Sequence, residues 1–143
     1  MEIAEENEKK KAYLNGYRYC KRREAQLAQQ IAELRSQKMF PSVNIDGMPQ
    51  GNAHSDLSSY MARLDALVSQ LEHERDMAVK QYKEIHDQIH KMQDRAEKEV
   101  LERRYLLQEA WEQIAVQMNY TYRHVTRLHG IALRAFQLPD KMS

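Results

Sequence analysis

With a single cysteine, Cys20, the 143-residue chain can close no intrachain disulfide and must hold its fold by packing. Helix breakers are scarce: of four glycines and three prolines, two of each fall between Met39 and Asn52, so the remainder is free to run in long helices. Nowhere does an apolar run approach the roughly 18 residues of a membrane span, and Met1 opens an acidic and then basic polar segment without a signal-peptide core. No membrane partner is expected, and a reducing cytosol is the expected compartment. Catalytic groupings are missing too: there is no Ser-His-Asp arrangement, Gly-rich phosphate loop, Cys pair or concentrated pair of carboxylates. The acids alternate with Lys and Arg at helical spacing, as in EHERD and DRAEKE, which is how a salt-bridged helix surface reads. His86 and His90 stand four apart, but without a third ligand they make an incomplete metal site and read as solvated helix histidines. The chain is therefore read as non-enzymatic, with no cofactor and no metal.

What the sequence does have is helical patterning. Apolar residues (42%) and charged residues (30%) are arranged in narrow stripes, which predicts an all-α, elongated architecture rather than a single ball. From about Glu8 to Lys38, Tyr13, Tyr17, Cys20, Leu27, Ile31 and Leu34 follow steps of 4, 3, 7, 4 and 3, a heptad seam whose skipped position is Glu24. Lys9, Lys10, Lys11, Arg18, Lys21, Arg22 and Arg23 cluster in its first half, either as a solvated face or as a second nucleic-acid or polymerase contact. Met39 to Asn52 reads as a connecting loop with turns at Asp46-Gly47 and Pro49, its apolar residues packed on a neighbour or offered to a partner.

Ser55 or Asp56 is placed to cap a second long helix striped by Leu57, Tyr60, Leu64, Leu67, Leu71, Ala78, Tyr82, Ile85, Ile89, Met92 and Ala96. At 1.5 Å per residue, its run to Gln93 is on the order of 57 Å. The stripe weakens where Glu74 and Arg75 take inward phase. Residues 1–93, with the loop at 39–55, are thus expected to form a long antiparallel helical hairpin, a coiled-coil-like stalk. Met61, Val68 and Val79 flank the stripe and argue for a homodimer or higher homo-oligomer through that stalk.

Residues 94–143 form the second expected domain. Val100, Leu101, Tyr105 and Leu106, at i, i+1, i+5 and i+6, give one more amphipathic helix, with a turn at Gln108-Glu109. Trp111, Ile114, Ala115 and Met118 then share one helix face, Asn119 suits a left-handed helix end, and Thr121 can cap the last helix. Val125 and Leu128 turn inward in that helix, and Ile131, Leu133 and Phe136 close the core. Thr121, Tyr122, Arg123, His124, Thr126 and Arg127 are the candidate DNA-contacting residues, with His129 nearby. From Trp111 onward Arg123, Arg127, Arg134 and Lys141 face only Glu112 and Asp140, a local excess of positive charge suited to a polyanion. An Arg can bond a guanine edge bidentately and a Thr can offer a methyl or hydroxyl.

The segment VLERRYLLQEAWEQIAVQMNYTYRHVTRLHGIAL resembles the promoter-reading region 4 of sigma-70 factors. The likeness rests on Val100-Leu101, Arg104-Tyr105, Trp111, Ile114-Ala115, Met118, Tyr120, Val125, Leu128-His129 and Ala132-Leu133. With the SDLSSYMARLDAL segment, the chain is similar to phage-encoded late-operon regulators of the RinA and ArpU type. That resemblance implies a sigma-70 region 4-like helix-turn-helix and a sequence-specific activator of phage late or packaging genes. It implies double-stranded DNA and host RNA polymerase as partners, in the cytoplasm of a bacterial host cell. The chain departs from sigma factors in lacking a recognisable promoter-melting domain, so an activator at its own operator is expected. The alternative is a coiled-coil adaptor that binds polymerase or another protein through the sigma-like domain without reading DNA.

Overall fold

The computed structural model describes residues 2–39 and 53–140, and among these every regular element is helical. They are α1 (Glu2–Leu14), α2 (Gly16–Met39), α3 (Ala53–His90), α4 (Arg95–Leu101), a π-helical turn (Glu102–Leu106), α5 (Trp111–Met118) and α6 (Tyr122–Ala135). The expected loop, with its turns at Asp46-Gly47 and Pro49, lies outside the described residues. α1 and α2 are nearly continuous, because Asn15 N–H donates to Lys11 O at 2.8 Å and Tyr19 N–H to Asn15 O at 2.9 Å. α3 begins at Ala53, which corrects the expected cap at Ser55 or Asp56. Asp56 instead sits in the first turn, where a carboxylate is favoured by the positive end of the helix dipole.

The chain divides into two compact units, Met1–Cys20 with Met77–Ser143, and Lys21–Asp76. The expected division falls at 93/94, where Asp94 caps α4 by accepting Glu97 N–H at 2.9 Å. The first unit extends past that point, taking in α1 and the end of α3. Its core joins Tyr13 and Leu14 of α1 to Ile85 and Ile89 of α3, and both to Val100, Leu101, Ile114, Val125, Leu133 and Phe136. Ile131, expected in this core, is 44% exposed, because the inward face of α6 is taken by Leu128, Ala132 and Leu133.

In the second unit Leu27 and Ile31 of α2 pack with Leu71 of α3, bordered by Leu64, Leu67 and Val68. Glu24, the charge that interrupts the apolar seam, holds Lys21 Nζ at 3.1 Å and Arg75 Nε at 3.4 Å. The two places where the stripes weaken, Glu24 on α2 and Arg75 on α3, therefore meet each other. Farther along α2, Leu34 and Gln37 share a groove with Asp56, Tyr60 and Arg63, so partners along α3 fall in number as those along α2 rise.

Lys10 shows how α1 is attached to the first unit. Its sequence neighbours suggest a solvated or ligand-facing basic cluster. It is instead buried, with its ammonium donating to Leu133 O at 2.9 Å and Arg134 O at 3.4 Å. These are carbonyls of the last turn of α6, which lack helical partners and favour a cation. The four-carbon stem of Lys allows such burial with the head group satisfied. Lys10→Met keeps the stem and removes the donor, so it is expected to destabilise the protein by about 1–2 kcal/mol. Urea unfolding measures this, and a variant as stable as wild type would show that the cap contributes nothing.

Candidate nucleic-acid interface

The segment that presents the candidate residues is built from the turn outward. α5 opens with Ala110 N–H donating to the Gln113 side chain at 2.9 Å, and its Ile114 and Ala115 are buried. It closes at Asn119, whose φ of 60° and ψ of 42° place it in the left-handed region that Asn tolerates. Tyr120 N–H donates to Ala115 O at 2.9 Å and Asn119 N–H to Val116 O at 3.2 Å, the bond pair of a Schellman closure. Thr121 is extended, and its hydroxyl oxygen accepts His124 N–H at 3.0 Å, capping α6 as its sequence position predicted.

α6 divides its faces sharply. Val125, Leu128, His129, Ala132 and Leu133 are buried, while Thr121, Tyr122, Arg123, His124, Thr126 and Arg127 are exposed. The six candidate residues therefore lie together at the start of one helix, whose first turn carries no acid. Two have local attachments. The Thr126 hydroxyl donates to Arg123 O at 3.0 Å, which leaves its lone pairs and methyl for a ligand. The His124 ring stacks on Tyr120 with centroids 4.2 Å apart.

His129, expected near the outward set, is buried. Its Nε2 lies 2.7 Å from the Tyr105 hydroxyl, and the Trp111 ring meets it edge-on at 4.7 Å. Burial first, and then the charges of Lys11 and Arg104, push its pKa down to about 4, so the imidazole is neutral at pH 7. Tyr105, moved up to about 12 chiefly by burial, keeps its proton. Neutral partners suit a low-dielectric interior, where an unpaired ring nitrogen would be costly.

Tyr105 is delivered by the π-helical turn. Leu107 N–H donates to Glu102 O at 2.9 Å, a five-residue step. Val100, Leu101, Tyr105 and Leu106, whose spacing such a step suits, are all buried in one core. In a regular α-helix, residues five apart diverge by about 140°. Reading this segment as one more α-helix missed the turn, although its i, i+1, i+5, i+6 spacing was the visible signal.

The neighbouring cations have different fates. Arg103 is held by Glu99 at 2.7 Å and Glu109 at 3.3 Å, hydrogen bonds that raise its pKa. Arg104 sits over the Trp111 ring, its guanidinium carbon 4.2 Å from the ring centre, and donates to Glu109 O at 3.1 Å. The tryptophan thus touches both Arg104 and His129. Nothing in sequence spacing indicated these two contacts. Among the described residues no group of three or more His, Cys, Asp or Glu is poised for a metal; His86 and His90 stack on each other along α3.

No family model matches the chain, and no curated protein or solved structure is significantly similar to it.

The His129 pKa fixes the sign of a pH dependence. The folded state holds it near 4 against an ordinary value of 6.5, so between these values the unfolded chain binds more protons. The stability contribution is complete above pH 6.5 and is lost as pH falls to about 4, by up to about 3 kcal/mol. His129→Gln can still bond Tyr105 but does not titrate. Its unfolding free energy should fall less than that of wild type between pH 7 and pH 4, and parallel curves would contradict the assignment.

Proposed function

We propose that the chain is a sequence-specific DNA-binding transcriptional regulator that reads the major groove with α6. The observation that carries this reading is the division of α6, which is anchored by Val125, Leu128 and Leu133 and offers Tyr122, Arg123, Thr126 and Arg127 outward. α5, the turn at Asn119 to Thr121 and α6 have the make-up of a helix-turn-helix, whose second helix enters the groove. Arg123 and Arg127 supply bidentate donors for guanine, and Thr126 a methyl for thymine. The resemblance to sigma-70 region 4 and to RinA and ArpU regulators supports an activator of phage late or packaging genes, acting with host RNA polymerase.

In this reading α2 and α3 form an antiparallel hairpin stalk through which two chains pair. Leu57 and Met61, both 45% exposed on α3, supply apolar surface for that pairing. Two α6 helices on spaced half-sites gain the affinity and specificity that one lacks. A second reading, an adaptor that binds polymerase or another protein without reading DNA, is favoured by Val116 and Leu107. These apolar side chains flank the same helices and are 77% and 60% exposed.

From a pool of random duplexes the full chain should enrich one motif and bind it as two chains per duplex by light scattering. Arg123→Ala and Arg127→Ala should each cost about 1–3 kcal/mol of binding. Loss of a base contact relaxes specificity at one base pair, whereas loss of a phosphate contact weakens all sequences alike. Failure to enrich any motif would replace the DNA-reading assignment with the adaptor.

A further inference from the structure

By spacing alone His86 and His90 read as solvated, for want of a third ligand. Their setting in the fold adds what spacing does not carry. Each histidine directly follows a buried isoleucine, Ile85 or Ile89, so both rings leave α3 from backbone fixed by the core of the first unit. The two rings run near-parallel, with planes 10° apart and centroids 6.1 Å apart, and both remain accessible, His86 half-buried and His90 exposed. Tyr82 continues the row, stacked on His86 at 6.1 Å and 8°, and is met edge-on by Tyr17 at 5.2 Å. Tyr17 packs against the core, so the row is rooted there.

Asp87 supplies an orienting contact. Its Oδ1 lies 3.8 Å from His86 Nδ1, a separation that a small rotation closes to a hydrogen bond. With its proton held on Nδ1 by a carboxylate, an imidazole presents the Nε2 lone pair, which is the arrangement that metal-binding histidines use. A tetrahedral ion bonded to two imidazole nitrogens at about 2 Å holds the ring centres about 5 Å apart. The rings of His86 and His90 must therefore close by about 1 Å, which rotation about their side-chain bonds supplies without moving the helix.

We propose that His86 and His90 form a two-imidazole clamp for a divalent ion of the zinc, nickel or copper type, with Asp87 as a positioning residue and water at the remaining coordination positions. Imidazole selects these ions over Mg²⁺ and Ca²⁺, which take oxygen ligands. An ion bridging residues four apart closes one helical turn, here the last turn of α3, which ends at His90. The same turn carries Ile89 into the core that also holds Val125 and Leu133 of α6, so a bound ion stabilises the unit that presents α6. The clamp stands whether or not α6 reads DNA.

The test is calorimetric titration and thermal melting of the untagged full chain with Zn²⁺, Ni²⁺ and Mg²⁺. Wild type should take up one Zn²⁺ or one Ni²⁺ per chain and melt at a higher temperature with either, while Mg²⁺ does neither. His86→Gln and His90→Gln should each weaken Zn²⁺ binding by at least about tenfold, yet melt as wild type does without ion. Asp87→Asn, which keeps both ligands, should weaken it less, and wild-type affinity there would remove the positioning role. His90→Gln combined with Lys91→His keeps all six histidines but moves the second ring about 140° round the helix from the first. That variant should bind as weakly as His90→Gln. Unchanged Zn²⁺ affinity in either single histidine variant or in the relocated one overturns the clamp, and so does a wild-type chain whose melting millimolar Zn²⁺ leaves unmoved.

Discussion

α6 can turn Val125, Leu128, His129, Ala132 and Leu133 toward the interior only if the one polar group among them finds a partner there. The Tyr105 hydroxyl, 2.7 Å from His129 Nε2, is that partner. The pair also bears on the position of Trp111, whose ring meets both His129 and Arg104. Since Tyr105 reaches this place through a π-helical turn, the less common helical geometry is a condition for the orientation of α6. Rotation of α6 about its axis would expose His129 and bury Arg123 or Arg127, an outcome made costly by the desolvation of an unpaired guanidinium.

Much of the local structure was legible because it follows from single-residue chemistry. Asn119 ends α5 in the left-handed region and Thr121 caps α6, both as their side chains dictate. The stripe of Leu27, Ile31, Leu71, Ile85 and Ile89 likewise predicted burial, since periodicity records which face of a helix meets a neighbour. Other features depend on which helix that neighbour is, and periodicity is silent on this. Lys10 looked solvated because its carbonyl partners lie more than 120 residues away. His129 is expected only near the outward set, because spacing does not show the Tyr105 hydroxyl that accompanies its burial. The π-helical turn is visible in the spacing of Val100, Leu101, Tyr105 and Leu106, but the α-helical period hides it.

Cations of one kind serve unlike purposes within a single unit. Lys10 closes a helix end, Arg103 binds two carboxylates, Arg104 stacks on an indole, and Arg123 and Arg127 are exposed. A formal net charge of +1 conceals this allocation. What bears on a polyanion is which positive groups stay exposed, and over the first two turns of α6 Arg123 and Arg127 do so with no acid among them.

The proposed function requires the outward face of α6 to meet DNA. Backbone amide shifts of the isotope-labelled full chain, followed while an enriched duplex is added, test this most directly. The largest changes are predicted at Thr121 to Arg127, with none at the Leu27, Ile31 and Leu71 cluster. Shifts confined to residues 21–76, with Thr121 to Arg127 unmoved, would contradict it.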